Sequence, residues 1–232
     1  ASELASRGME ATVEALRSGM TEAEACTEGQ YAMRKLWQTK YPESEIAGFG
    51  AQDGAMVDAL QVWCLSNEKI NHGCDCPQAY RPQSGDITLP QVWAKLDGYH
   101  AEIERTLLVG EVTGERAKAY EATLEAREAV LALLKPGAVV EDLFHKAVEV
   151  FSEHGFGDIL PRSIGHGVGN SAHQFPFLSK GNKLKLMPRM VLSLEIGLVE
   201  GSWGSVRQSD IVLITDEGYE LLTQYPIGEP RL

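Results

Sequence analysis

A chain of 232 residues, 44% of them hydrophobic, is long enough to bury a large core, as one domain or as two fused halves. Its 33 acidic and 21 basic residues give a net charge of −12, which argues against a nucleic-acid or anionic-membrane partner, because both require clustered lysine and arginine. The sequence contains no run of about 18 apolar residues and no charged-then-apolar leader. We therefore expect a cytoplasmic protein whose partner is a small molecule.

The N-terminal residues predict two helices. Over residues 3–17, apolar side chains recur at helical spacing, at Leu4, Met9, Val13 and Leu16. Thr21 and Glu24 then form a capping-box pattern, in which each side chain satisfies a free backbone N–H at a helix start. A second helix is expected from this cap to about Tyr41.

The remaining pattern repeats the order of helices followed by strands. Strands are predicted at 61–65, 86–93 and 98–109, helices at 115–134 and 141–154, and further strands at 190–198 and 209–215. Residues 16–20 with Glu24 also resemble residues 134–138 with Asp142. We interpret this as an internal duplication into two α+β halves, about 1–112 and 113–232, whose helices cover one face of a shared curved sheet. A site on the inner face would lie between the halves.

The four cysteines are too few for a disulfide scaffold: Cys26, Cys64, Cys74 and Cys76. The Cys74-Asp75-Cys76 pair has neither the spacing of redox enzymes nor a second pair that would complete a zinc site. Reduced thiols are expected, and a contribution of the pair to the lining of a site stays open.

The stretch from Ser163 to Gln174 contains three alternating glycines and two histidines, His166 and His173. Glycines allow the main chain to pass close to a ligand, and histidine changes its charge near neutral pH. The alternative is a glycine-rich turn with incidental histidines.

Three glutamates are further candidates. Glu102 and Glu104 are two residues apart on a predicted strand and therefore share a face, where they repel each other unless a cation or a shared proton lies between them. The alternative is a solvated face of an edge strand. Glu195 interrupts the apolar run 190–196 and needs a partner if it is buried; a salt bridge to Arg105 or Arg207 would supply one.

The order of these motifs resembles the methionine aminopeptidase, prolidase and creatinase superfamily over essentially the whole chain. The motifs are Asn71-His72-Gly73, the segment 98–106, Gly165-His166-Gly167, Glu195 in an apolar strand, and Arg207 three residues before Asp210. The resemblance implies the pita-bread fold, in which two pseudo-symmetric α/β halves place their helices outside a curved antiparallel sheet. It also implies a hydrolase of C–N bonds and a homodimer, and the family's smaller N-terminal domain has no counterpart in this chain.

The superfamily's peptidases hold two metal ions with five ligands. Carried over by position, these fall on Gln91, Glu102, His166, Glu195 and Ser209. Because two of the five carry no charge and cannot bridge two cations, the resemblance implies no dinuclear site. We predict no metal and no other cofactor, although Glu102, His166 and Glu195 are able in principle to hold one ion.

The chain is most similar to the metal-independent creatinase branch. Residues 101–107 are similar to that branch's Ala-Leu-Glu-Arg-Thr-Leu, and this places Glu104 on the acid that holds a cationic guanidinium. His72 matches its general base. Glu102 departs from the branch, which has an apolar residue there, so creatinase's own substrate is not carried over.

The leading hypothesis is a metal-independent hydrolase of a C–N bond in a small cationic or zwitterionic compound. Its predicted catalytic residues are His72, His166, His173, Glu104 and Glu195, and its predicted substrate-binding residues are Glu102, Arg207 and Phe175. Two alternatives stay open. One is a mononuclear metallopeptidase acting on small peptides such as Xaa-Pro dipeptides, and the other is a non-catalytic relative that keeps the fold as a binding module.

Overall fold

A computed structural model describes residues 1–46, 59–72, 75–227 and 232. The helices are α1 (Ser2–Arg17), α2 (Glu22–Lys40), α3 (Gly114–Leu131) and α4 (Val140–Glu153), and a short 3₁₀ helix spans Asn67–His72. The strands are β1 (Leu60–Ser66), β2 (Ile87–Leu96), β3 (Tyr99–Arg105), β4 (Leu107–Leu108), β5 (Gly165–Gly167), β6 (Gln174–Phe177), β7 (Val191–Gly201), β8 (Gly204–Ile214) and β9 (Tyr219–Leu221). Gly73 and Cys74 lie outside the described residues.

The strands form one antiparallel sheet in the order β1-β2-β3-β8-β7-β5-β6, with β4 paired to β2 and β9 to β8. The two halves of the chain meet at the β3–β8 pair, where Glu104 lies opposite Ser209 and Arg105 opposite Gln208. Each half contributes two helices and then strands, so the predicted α+β architecture is confirmed. The internal duplication with a boundary near residue 112 stays a prediction.

The helices pack against one face of the sheet. The predicted apolar stripe of α1 is buried, and it joins a core cluster with sheet residues such as Val62, Val92 and Ile103. Helices α3 and α4 pack in the same way over the second half. Because side chains alternate along a strand, the positions between these apolar residues point to the opposite face, where the polar side chains lie.

Three segments differ from the sequence-based predictions. The strand predicted over 98–109 is interrupted at Thr106, whose backbone N–H and hydroxyl both donate to the carbonyl oxygen of Arg207, each at 3.0 Å. The strand predicted at 209–215 begins earlier, at Gly204. Two short strands, β5 and β6, occupy the histidine stretch and were not predicted, because glycine and proline both disfavour strands. Within the described part of the chain, no helix has the length and apolar character needed to cross a bilayer.

Candidate functional site

A row of four side-chain positions crosses the centre of the sheet on the face opposite the helices. Strand pairing places Gln91 opposite Glu104, Glu104 opposite Ser209, and Ser209 opposite Glu195, on β2, β3, β8 and β7 in turn. His166 follows one strand further along, on β5, where it lies opposite Ser193. The register of the sheet therefore assembles residues from both halves of the chain into one site.

The paired glutamates of β3 lie in the interior and not on a solvated edge. Glu102 is 0% exposed and Glu104 is 2% exposed, and β3 is flanked by β2 and β8. The edge-strand alternative for this pair is therefore wrong. A buried carboxylate requires a nearby cation or a bound proton, so both side chains need partners.

His166 supplies a partner for two of the carboxylates. Its Nε2 atom lies 3.2 Å from Oε1 of Glu195 and 3.3 Å from Oε1 of Glu102. Its Nδ1 atom lies 2.9 Å from the carbonyl oxygen of Gly167, to which an Nδ1–H can donate. Glu195 thus contacts His166, and the charge of Arg207 also favours its ionised form.

The charges in this cluster shift one another's titration. Burial raises the pKa of Glu102, and the charge of Glu195 raises it further. Burial also acts to raise the pKa of Glu195, but the hydrogen bond and charge of His166 outweigh it, and that pKa is lowered. The pKa of His166 is raised, because its bonds to Glu102 and Glu195 outweigh the opposing effect of burial. A positive charge at His166 Nε2 is therefore strongly favoured.

Glu104 has a different partner. Oε2 of Glu104 lies 3.1 Å from Nε of Arg207, and burial raises the pKa of this carboxyl although Arg207 opposes that effect. Arg207 is the cationic neighbour of Glu104, and its role in binding substrate stays a prediction. Arg105 pairs instead with Asp210, at 2.7 Å.

An aromatic wall adjoins the charged cluster. The ring centroid of His173 lies 4.3 Å from that of His166 and 5.2 Å from that of Trp93, and Trp93 meets Trp63 edge to face at 6.4 Å. Neither tryptophan is predicted from the sequence to be a site residue. Trp93 could have been found from its position, because it lies two residues after Gln91 and therefore shares the face of β2 on which Gln91 lies.

The alternating glycines bring β5 into the sheet. A Cβ atom on Gly165, whose φ is +140°, would lie 2.1 Å from the carbonyl oxygen of Ser193. One on Gly167 would lie 2.6 Å from the carbonyl oxygen of Phe175. The close backbone approach expected in this stretch is thus an approach to the neighbouring strands β7 and β6, and it fixes the position of His166 between them.

Two predicted site residues lie apart from this cluster. His72 ends the 3₁₀ helix with an exposed side chain, and within the described ranges no hydrogen bond or ion pair joins it to the glutamates or to His166. Phe175 is 64% exposed on β6. Cys76 is exposed, and its neighbour Cys74 is outside the described residues. Roles for His72 and Phe175 in the reaction stay predictions.

The donor atoms of the described residues include one group that could hold a divalent cation. One ligand atom each from His166, His173 and Glu195 lie within 4.8 Å of one another, and Glu102 reaches the same nitrogen of His166. Gln91 and Ser209, which lie in the same row, offer neutral oxygens, whereas a pair of adjacent cations requires bridging carboxylates.

Comparison with known proteins gives matches along nearly the whole chain. The model of metallopeptidase family M24 matches residues 1–216. The Xaa-Pro dipeptidase of Pyrococcus furiosus is 30% identical over 224 residues, which are 97% of this chain and 60% of the relative. Among solved structures, the X-Pro aminopeptidase of Thermotoga maritima superposes with a TM-score of 0.82 at 27% identity, covering 100% of this chain and 61% of its own. The prolidase of Pyrococcus furiosus gives a TM-score of 0.82 at 28% identity, covering 98% and 62%. The chain thus spans about three fifths of the length of these proteins.

Proposed function

This chain belongs to metallopeptidase family M24, and from that premise we propose that it carries the site of a hydrolase that cleaves an amide-type C–N bond in small zwitterionic compounds, with dipeptides as the first class. Membership confirms the superfamily and the pita-bread fold that the motifs indicated. The dipeptidase named among the relatives supports the choice of substrate class. The creatinase-like, metal-independent branch, the homodimer and the cytoplasmic location stay predictions.

The proposal rests on three carboxylates that lie near one histidine, two of them buried and the third, Glu195, partly buried. Glu102, Glu104 and Glu195 share the inner face, and the cations in contact with them are His166 and Arg207. When all three carboxylates are ionised and both of these cations are charged, one negative charge remains, and burial strengthens its attraction for a further cation. The α-ammonium group of a dipeptide has the charge and size that such a site would hold.

The chain's own residues suit the hydrolytic steps. Both oxygens of Glu102 are buried and Oε1 lies 3.3 Å from Nε2 of His166, so Oε2 is placed to take the proton of an attacking water. His166 is held by Gly167 and Glu195, and it can stabilise negative charge that develops on the substrate's carbonyl oxygen. A divalent cation bound at His166 and Glu195 would supply Lewis acidity and a more acidic water.

The test is hydrolysis measured as product release by mass spectrometry. The purified chain is incubated with a dipeptide panel that includes Xaa-Pro sequences, with added Zn²⁺, Co²⁺ or Mn²⁺. We expect turnover by the native chain and a loss of at least about 100-fold in Glu102→Gln and in Glu195→Gln. The control is Glu149→Gln on the exposed surface of α4, where activity should be unchanged.

Two results with the same dipeptide panel would contradict the proposal. If the folded native chain hydrolyses no dipeptide under any metal condition, the dipeptidase assignment is wrong. If Glu102→Gln and Glu195→Gln both retain full turnover, the cluster is not the reaction site.

A second candidate is a metal-independent hydrolase of small cationic C–N compounds. It is favoured by the neutral side chains of Gln91 and Ser209 in the row of site positions, and by the ability of a protonated His166 to bond both Glu102 and Glu195. Hydrolysis of an amidine, urea or cyclic amide that persists in excess chelator, by protein without bound metal, would select this candidate. Loss of all activity on chelation would exclude it.

A further inference from the structure

We propose that Lys95 and His100 form a subsite that binds the free carboxylate of a dipeptide, at one end of the acidic residues on the inner face of the sheet. This inference rests on the proposed function in one respect, because it takes a zwitterionic dipeptide as the ligand. It adds to that function the residues that select the substrate by its second charge and by its length.

Strand pairing places Lys95 and His100 side by side. Lys95 of β2 lies opposite His100 of β3, and the next pair on the same face is Trp93 with Glu102. Residues directly opposite each other in an antiparallel pair have Cβ atoms about 4.5–5.5 Å apart. Since residues two apart on a strand share a face, His100 projects on the same side as Glu102 and Glu104. The two basic residues therefore extend the site beyond Glu102.

The ammonium group of Lys95 is available for a ligand. Its side chain is partly exposed and has no hydrogen-bond or ion-pair partner within the part of the chain that the structure describes. The acidic residue of the adjoining hairpin, Asp97, accepts a hydrogen bond from the backbone N–H of Glu45 at 2.8 Å. Lys95 thus offers a positive charge that no described carboxylate neutralises.

The charge on the inner face changes sign along β2 and β3. The carboxylates of Glu104 and Glu102 come first, and Lys95 with His100 follows. A ligand with an ammonium group at one end and a carboxylate at the other matches this order, because each end meets groups of opposite charge. A cation without a carboxylate would leave Lys95 unpaired, so we expect it to bind more weakly.

The spacing of these groups also selects a length. His100 lies four positions before Glu104, and at a rise of about 3.3 Å per residue the two positions are about 13 Å apart. Two residues of extended peptide span at most about 7 Å, and a charge-assisted hydrogen bond adds about 2.8 Å at each end. A dipeptide therefore reaches from Glu104 to the basic pair with its amide beside Glu102. A third residue would carry the carboxylate about 3.5 Å past that pair.

Equilibrium binding tests the subsite separately from catalysis. δ-Aminovalerate has the same number of bonds between its charged groups as a dipeptide but contains no amide, and pentylamine replaces its carboxylate with a methyl group. By calorimetry, we expect the native chain to bind δ-aminovalerate at least about tenfold more tightly than pentylamine. Lys95→Met should remove this preference, Lys95→Arg should retain most of it because the cation is kept, and His100→Leu should reduce it several-fold.

Hydrolysis supplies a second measurement. For a dipeptide, Lys95→Met should lower kcat/KM at least about tenfold, mainly through a higher KM, whereas kcat/KM for the corresponding dipeptide amide should not change. Lys35→Met is the matched control, because Lys35 is an exposed lysine on α2, on the opposite side of the sheet. This variant should bind and hydrolyse as the native chain does.

The subsite is refuted if the native chain binds δ-aminovalerate and pentylamine equally, or if folded Lys95→Met keeps the native preference. The comparison in the native chain needs no variant, so it decides the question even where a substitution prevents folding, which circular dichroism melting detects. A preference for δ-aminovalerate without hydrolysis of any dipeptide would uphold the subsite and contradict only the proposed function. Equal kcat/KM for dipeptides and their amides would contradict only the subsite.

Discussion

Gly165 tightly constrains the backbone that positions the site. Its φ of +140° is unfavourable for any side chain, and a Cβ atom would lie 2.1 Å from the carbonyl oxygen of Ser193. Gly165 and Ser193 belong to the paired strands β5 and β7. Relief of this contact would therefore displace β5 and, with it, His166.

We therefore expect Gly165→Ala to reduce the free energy of unfolding by roughly 3 kcal/mol, through backbone strain and overpacking together. The control is Gly155→Ala, where φ is also positive, at +84°, but a Cβ would meet nothing within 4 Å. That substitution should cost about 1 kcal/mol. Denaturant titration of both variants measures the difference, and equal losses would show that the contact with Ser193 carries no extra cost.

At the same scale, the sequence identifies the charged members of the site but not the pairs they form. Glu102, Glu104, Glu195 and His166 stand out because charge interrupts apolar or glycine-rich sequence. Their partners depend on the register between distant strands, which local sequence does not encode. This is why the pairing of Arg207 with Glu104, and the aromatic wall formed by Trp63 and Trp93, could not be predicted from the sequence.

At the scale of elements, the N-terminal cap of α2 is predicted by the sequence and is present in the structure. Glu24 N–H donates to Oγ1 of Thr21 at 3.3 Å, and the backbone N–H of Thr21 donates to Oε2 of Glu24 at 2.8 Å, which completes the predicted capping box. The strands β5 and β6 of the histidine stretch, in contrast, have no local sequence signal. Residues 165–167 form β5 only because β6 and β7 flank them, and no local propensity predicts this.

Thr21→Ala should therefore lower the free energy of unfolding by about 1 kcal/mol, since it leaves a helix N–H without its acceptor. Thr113 provides a matched comparison, because it occupies the N-cap of α3 without forming a side-chain cap hydrogen bond. Thr113→Ala should change stability by no more than a few tenths of a kcal/mol. The proposed contribution of the box would be refuted by equal effects in thermal or denaturant unfolding.

At the scale of the whole molecule, the site depends on a narrow junction between the halves. The β3–β8 pairing has two residue pairs, and one of them, Glu104 with Ser209, belongs to the site. On the opposite face, Arg105 reinforces this junction by donating to the carbonyl oxygens of Glu104 and Ser209, at 2.8 and 2.7 Å. The duplicated order of elements predicts that two halves meet, whereas the contacts that fix their junction are long-range and come only from the folded chain.

Asp210 is the shared partner of the arginines that stabilise the junction between β3 and β8. It is 2% exposed, and its two oxygens bind Arg105 of β3 at 2.7 Å and Arg127 of α3 at 2.8 Å, while Thr223 near the C-terminus donates to it at 2.8 Å. One carboxylate thereby connects both halves and the terminal segment. Removing its charge would leave two nearly buried guanidinium groups without their shared partner.

We expect Asp210→Asn to reduce the free energy of unfolding by about 3–5 kcal/mol, because uncompensated buried charge is costly. Glu149→Gln breaks the exposed Lys146–Glu149 pair and should cost no more than about 0.5 kcal/mol, since solvent already screens that interaction. Both variants are compared by urea unfolding monitored by tryptophan fluorescence, with equal slopes required for a valid comparison. If Asp210→Asn loses no more stability than Glu149→Gln, the two halves are held together by apolar packing and strand pairing alone, and the Arg105–Asp210–Arg127 network does not stabilise the junction on which the site is built.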